Sequence, residues 1–198
     1  MHEKKFRRWE RPLDMRFITF SAYDRRPLLK NARIMDLFVE HLIEARRRHG
    51  FKLYAWVVMP EHVHMIIRAD GSAWSHVAQV LKTNTSKKVL ARWREIGLEG
   101  LLAEISVRGR PRFWQHGGGF DRMIRDTDEF CREVRYIHEN PVERGLVTVP
   151  QDWRWSSVHW WRRQPAVLEC DWAPGGAERW GTWTGFVDAR EEDTITKT

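Results

Sequence analysis

The chain has 198 residues with 34 Lys plus Arg against 27 Asp plus Glu, a formal net charge of +7 and a sequence pI near 9.8, a balance that favours an anionic partner. Its 42% hydrophobic residues suffice for a core, which excludes a disordered tail, and its longest apolar runs, 55–60 and 63–67, fall far short of the roughly 20 residues of a membrane-spanning helix, so no membrane partner is expected. Two cysteines, Cys131 and Cys170, exclude a disulfide framework and a four-thiolate zinc site, and no apolar run follows the basic start Met1–Arg8, so a cytoplasmic location is expected.

The charge divides along the chain. Residues 1–126 hold 25 basic and 14 acidic side chains, net +11, whereas residues 127–198 hold 9 and 13, net −4. Met15 to Tyr23 is β-prone, and Ala32 to His49 carries apolar residues at Ile34, Leu37, Phe38, Leu42 and Ala45, a helical spacing closed by Gly50. Two further β-type runs, Phe51 to Met59 and Val63 to Arg68, flank Pro60-Glu61 as a tight connection, and Trp74 to Ile96 reads as a second long helix. The glycine-containing stretch 98–119 reads as a loop and Phe120 to Arg125 as a fourth strand. Asp126-Thr127-Asp128-Glu129 has the form of a helix start, with Pro141 as the stop. The order βαββαβα predicts an α+β sandwich, a ferredoxin-like βαββαβ unit with an added helix, its helices on one sheet face and the other face free for a site. Residues 1–150 are expected to form the catalytic domain, and residues 151–198 a Trp-rich and acidic extension packing on or near it.

His62-Val63-His64 falls in the third strand, where residues i and i+2 project from one face. Two converging imidazoles suit a divalent cation; a half-exposed strand that carries two histidines is the plain alternative. On the last helix, at 100° per residue, Phe130, Val134 and Ile137 lie about 100° to 160° from Tyr136, while Asn140 lies only about 40° away. Tyr136 and Asn140 therefore share a face opposite the apolar stripe. A phenol is a competent nucleophile toward a phosphodiester and an amide oxygen one turn on can ligate a hard metal, although, taken singly, the plainer readings of a core aromatic and a helix terminator take precedence.

Taken together, Trp56-Val57-Val58-Met59-Pro60-Glu61-His62-Val63-His64, Phe113-Trp114-Gln115, Arg135-Tyr136-Ile137-His138-Glu139-Asn140-Pro141-Val142-Glu143-Arg144-Gly145-Leu146-Val147 and Asp152-Trp153-Arg154-Trp155-Ser156-Ser157 resemble the single-tyrosine HUH transposases, most closely the REP-associated tyrosine transposases. The similarity runs in order from about residue 15 to residue 160. It implies that His62 and His64 are the paired metal ligands, Asn140 completes the metal site and Tyr136 is the nucleophile. It further implies a Mg²⁺ or Mn²⁺ cofactor, no nucleotide cofactor, a 5′-phosphotyrosine intermediate, single-stranded or hairpin DNA such as repetitive extragenic palindromes as partner, nucleoid association, and a monomer rather than a dimer. Two departures stand out: the triple glycine Gly117-Gly118-Gly119, where a bulkier residue is expected, and Arg154, where these proteins often have Pro.

Arg7, Arg8, Arg11, Arg25, Arg26, Lys82, Lys87, Lys88 and Arg92 are candidates to neutralise DNA phosphates, each with a solvated charge as its plain alternative. Glu133, His138 and Glu139 lie near Tyr136 in sequence as possible proton acceptors. A hairpin-binding protein without chemistry and a small-molecule phosphodiesterase are the competing functional readings. Acidic residues after Val167, among them Glu169, Asp171, Glu178, Asp188, Glu191, Glu192 and Asp193, suggest a tail lying over the basic groove, and Trp153, Trp155, Trp160 and Trp161 are expected to pin the returning chain to the domain.

Overall fold

A computed structural model describes residues 15–69, 73–117 and 119–173. Arg7, Arg8, Arg11 and the acidic residues from Glu178 onward lie outside the described residues, and with them most of the tail invoked above.

Strand β1 (Met15–Ser21) leads through a short turn into α1 (Ala32–His49). The Asn31 side chain accepts the Arg33 backbone N–H at one end of α1, and Gly50, at φ +64°, ends it in the left-handed conformation. β2 (Lys52–Val58) and β3 (His62–Arg68) form a hairpin across Pro60-Glu61 and are followed by α2 (Ala73–Glu95). The stretch expected to be a loop instead holds α3 (Glu99–Glu104) and a small hairpin of β4 (Ser106–Val107) and β5 (Arg110–Pro111). Two facts account for the difference: Leu102 and Ile105 add apolar surface to the core, and Arg108 and Gly109, both at positive φ, make the two-residue turn that joins adjacent strands. β6 (Phe120–Met123), α4 (Thr127–Glu143) and α5 (Val158–Trp161) complete the regular elements.

β2, β3, β1 and β6 form, in that order, one antiparallel sheet, consistent with the ferredoxin-like arrangement. Strand alternation sends Ile18, Phe20, Val63, Met65 and Ile67 into a core shared with α1 and α2. Met15, Phe17, Tyr54, Val57 and Ile66 face the other way, where Phe130, Val134 and Ile137 of α4 cover them. The second face is thus not left free: the site helix itself lies across part of it. Pro141 does not stop that helix either. Lacking an N–H, it forgoes only its bond to the Ile137 carbonyl, and α4 runs on to Glu143, with the Arg144 N–H on the Asn140 carbonyl at 3.0 Å.

The chain then returns along the outer edge of β2. The Val58 N–H donates to the Trp155 carbonyl and the Ser157 N–H to the Trp56 carbonyl, both at 2.9 Å, and the Asp171 N–H reaches the Leu53 carbonyl at 2.7 Å. Indole N–H groups fasten the segment: Trp153 to the Val58 carbonyl, Trp155 to Asp36 and Trp161 to the Tyr54 carbonyl, each at 2.9 Å, while Trp160 packs at a tilt against Trp172. Asp171, one of the acids of the C-terminal third, is held by Arg46 and Lys52 at the β2 end of the sheet. Among the described residues no helix is long and apolar enough to cross a membrane.

Candidate active site

His62 and His64 point to the α4 face with their ring centroids 4.4 Å apart, and they are buried, at 8% and 5% exposure, rather than half-exposed. Across the sheet, Thr19 of β1 stands opposite His64, and its hydroxyl lies 2.6 Å from His64 Nδ1. From the turn before β3, Glu61 brings Oε1 to 3.2 Å from His62 Nδ1 and also pairs with Arg144 beyond the end of α4. Both Nδ1 atoms are therefore engaged, the arrangement that fixes tautomer and orientation in metal-binding histidines. His64 Nε2 is buried with no hydrogen-bond partner among the described residues.

α4 supplies the opposing wall. Its capped start, with the Asp126 carboxylate on the Glu129 N–H at 2.7 Å, and its apolar stripe set the rotation of the helix. Tyr136 and Asn140 consequently emerge toward the histidines. The Tyr136 ring centroid lies 5.2 Å from that of His64 and 6.0 Å from that of Phe17, and the residue keeps 40% exposure. Asn140, by contrast, is buried; its side chain lies against His62, and its Oδ1 makes no well-formed hydrogen bond among the described residues. His62, His64, Tyr136 and Asn140 line one cleft of about 290 Å³ together with Thr19, Arg25 and Arg144. All four come from one chain.

Burial pushes His64 down to about 2, with the neighbouring His62 and Arg144 charges acting in the same direction. Burial also lowers His62, against the opposing pull of Glu61. Both rings are thus neutral at ordinary pH and carry a lone pair for a cation. Two orphaned acceptors, His64 Nε2 and Asn140 Oδ1, beside a second neutral imidazole fit a divalent metal better than a closed polar network, in which buried acceptors would be satisfied. Among the described residues no group of three His, Cys, Asp or Glu is placed to hold a metal. The candidate set of two imidazoles and one amide oxygen therefore leaves coordination positions open for a substrate.

The other expected residues divide. Arg25 lines the cleft, and Lys82 lines a neighbouring one. Arg26 is paired with Glu104, and Arg92 with Glu95. Lys87 and Lys88 line a groove between α1 and α2, in the helix layer across the sheet from the histidines. Of the acids and bases near Tyr136, Glu133 is bound by Arg122, and His138 is buried with its Nε2 2.8 Å from Ser157 Oγ. Thr19, Glu61 and Arg144 escaped sequence reasoning. Arg144 follows Tyr136 and Asn140 at four-residue steps and was findable; Thr19 depends on the register of β1 against β3. Gly119 also has its reason: at φ +86° a Cβ there would lie 2.2 Å from the carbonyl oxygen of Thr19, the residue that holds His64.

The family model described as Transposase IS200 like matches residues 13–139. The chain is similar to the REP-associated tyrosine transposase of Escherichia coli (strain K12), with 31% identity over 144 residues, 72% of this chain and 75% of that protein. Its fold is similar to a solved REP-associated tyrosine transposase bound to a REP hairpin, with a TM-score of 0.58 and 25% identity over 87% of this chain and 92% of the other. The chain belongs to the IS200-like transposase family, among its REP-associated tyrosine transposases.

Proposed function

We propose that this protein is a metal-dependent endonuclease and strand transferase that cuts single-stranded DNA beside a hairpin of a repetitive palindrome, through a 5′-phosphotyrosine on Tyr136. The observation that carries the reading is the convergence in one chain of two orphaned buried acceptors, His64 Nε2 and Asn140 Oδ1, with a partly exposed tyrosine whose ring lies 5.2 Å from His64. The hairpin on the solved relative supports the substrate class.

His62, His64 and Asn140 would hold Mg²⁺ or Mn²⁺, which would polarise the scissile phosphate and offset its developing charge. The chain's own part is positioning. α4 presents the Tyr136 hydroxyl to the cleft, while Arg25 and Arg144 at its rim supply positive charge for the phosphate. Attack forms the Tyr Oη–P bond and breaks the P–O3′ bond; the phenol loses its proton and the leaving oxygen gains one as a 3′-hydroxyl. The phosphotyrosine retains the energy of the broken bond, so transfer to another 3′-hydroxyl requires no nucleotide.

Incubation with end-labelled hairpin DNA and Mn²⁺ is expected to give a covalent adduct on a denaturing gel. Intact hairpin binding with neither adduct nor cleavage on a panel of hairpins would replace this reading with that of a binding protein. The second contact of His64 gives an independent check. With Nε2 as the ligand, Nδ1 carries the proton and donates to Thr19 Oγ1. Thr19→Val removes that acceptor and is expected to weaken Mn²⁺ binding, read by electron paramagnetic resonance of the free ion, about 10- to 100-fold. Unchanged Mn²⁺ affinity would show that the Thr19 contact does not support His64 as a ligand.

A further inference from the structure

The strands align one row of side chains across the site face. Val57 stands opposite His64, His64 opposite Thr19, and Thr19 opposite Phe120. Directly opposed residues of antiparallel strands share a face, so the Phe120 ring stands on the same side of the sheet as the His64 ring, two strands and about 10 Å away. Arg122, two positions further along β6, has the same facing, since it reaches Glu129 and Glu133 on α4.

Phe120 is nevertheless left 58% exposed, the most exposed large hydrophobic side chain among the described residues. Beside it opens a cleft of about 500 Å³, lined also by Thr19, Arg25, Lys82, Gln115 and His116, which shares Thr19, Ser21 and Arg25 with the active-site cleft. Arg25 is held on the common rim by two consecutive residues in the left-handed region, Asp24 at φ +53° and Arg25 itself at φ +50°. That backbone is costly for non-glycine residues. The Asp24 N–H is braced by Gln115 Oε1 at 3.2 Å, which leaves the Gln115 amide N–H groups as the donors. Lys82 uses one N–H on the Gly117 carbonyl at 2.6 Å and has two more to offer. An exposed aromatic face, two cations and two polar side chains, joined to the place where a phosphate would be cut, match the needs of one unpaired nucleotide: stacking for the base, positive charge for its backbone, hydrogen bonds for its edge.

We propose that this second cleft seats the unpaired nucleotide flanking the scissile phosphate, with its base stacked on Phe120, its phosphate between Arg25 and Lys82, and its base edge read by Gln115 and His116. The inference rests on the strand-transfer reading above and adds a site of base selection to it. Stacking tolerates any base, so sequence preference at this nucleotide comes from Gln115 and His116 and its strength from Phe120.

The test uses the full chain and two fluorescein-labelled DNAs, a hairpin with unpaired flanks and the same hairpin without them. Phe120→Ala is expected to weaken binding of the flanked hairpin about tenfold, leave the flankless hairpin unchanged, and keep the wild-type melting temperature, whereas Phe120→Trp retains affinity. Abasic substitution along the flanks should reveal a single position whose removal weakens the wild type but not Phe120→Ala. If Phe120→Ala binds the flanked hairpin as the wild type does, or loses both DNAs equally, the subsite is refuted while Tyr136 adduct formation stands. If the wild type forms no adduct and binds neither DNA, the strand-transfer reading fails and takes the subsite with it.

Discussion

Tyr136→Phe is expected to abolish the protein–DNA adduct completely and to leave hairpin affinity unchanged. The substitution deletes one oxygen and keeps the ring that packs against Phe17 and His64, so the walls of the cleft persist. No other phenol can take over. Tyr54, the tyrosine nearest α4, is 2% exposed beneath Phe130, and burial raises its pKa. Tyr23 packs against the core on the opposite side of the sheet. An adduct that survives Tyr136→Phe, mapped by peptide mass, would assign the nucleophile elsewhere and dissolve the role given to the shared face of Tyr136 and Asn140.

The second large effect falls on stability. Glu129, fully buried in the first turn of α4, is bound by Arg122 at 2.6 Å and Arg125 at 3.1 Å, and Arg122 also grips Glu133. Breaking such a pair from one side costs about 3–5 kcal/mol when both partners are buried. Here Arg122 is 36% exposed and Arg125 remains as a partner, so solvent screening brings the expected loss for Arg122→Ala to about 2 kcal/mol. That corresponds to roughly 4–8 °C in melting temperature for a chain of this size. Glu129→Gln in the same background should recover much of it by removing the uncompensated charge. Acid dependence gives the sign. Burial pushes the Glu129 carboxyl up, but the Arg125 N–H and side chain and the Arg122 charge outweigh it and hold the carboxyl below its ordinary 4.5. A depressed carboxyl stabilises the fold fully above that ordinary value and loses the contribution as pH falls through the folded one. Urea midpoints of wild type and Arg122→Ala should therefore converge as pH drops below about 4.5; curves that stay parallel would show that the loss does not come from pairing with the ionised carboxylate.

Much of this architecture was legible in the residues, for local reasons. α1 spans Ala32–His49 as its periodicity and closing glycine require, with the Asn31 cap at its start, and the facing of His62 and His64 follows from strand alternation alone. The rotation of α4 was readable because three apolar residues fix its buried stripe. What escaped depends on long-range register. Thr19 meets His64 across 45 positions, and Phe120 enters the same row only because β6 pairs with β1. Charge is silent on placement: Lys87, Lys88 and Arg92 contribute to the same basic total as Arg25, but α2 carries them into the layer on the far side of the sheet. Composition counts a cation without saying which face it reaches.

The returning segment that follows α4 also decides how the sheet can grow. β2 would otherwise present a bare row of amides and carbonyls, a template onto which another extended chain could add. Trp155 to Ser157 and Asp171 occupy that row with the protein's own backbone. Among the described residues only β6 remains as an open border, four residues long and carrying Asp121 and Arg122. So short and charged a border is a poor seed for stacking one molecule on the next, and it lies beside the cleft at Phe120 that we propose seats a nucleotide.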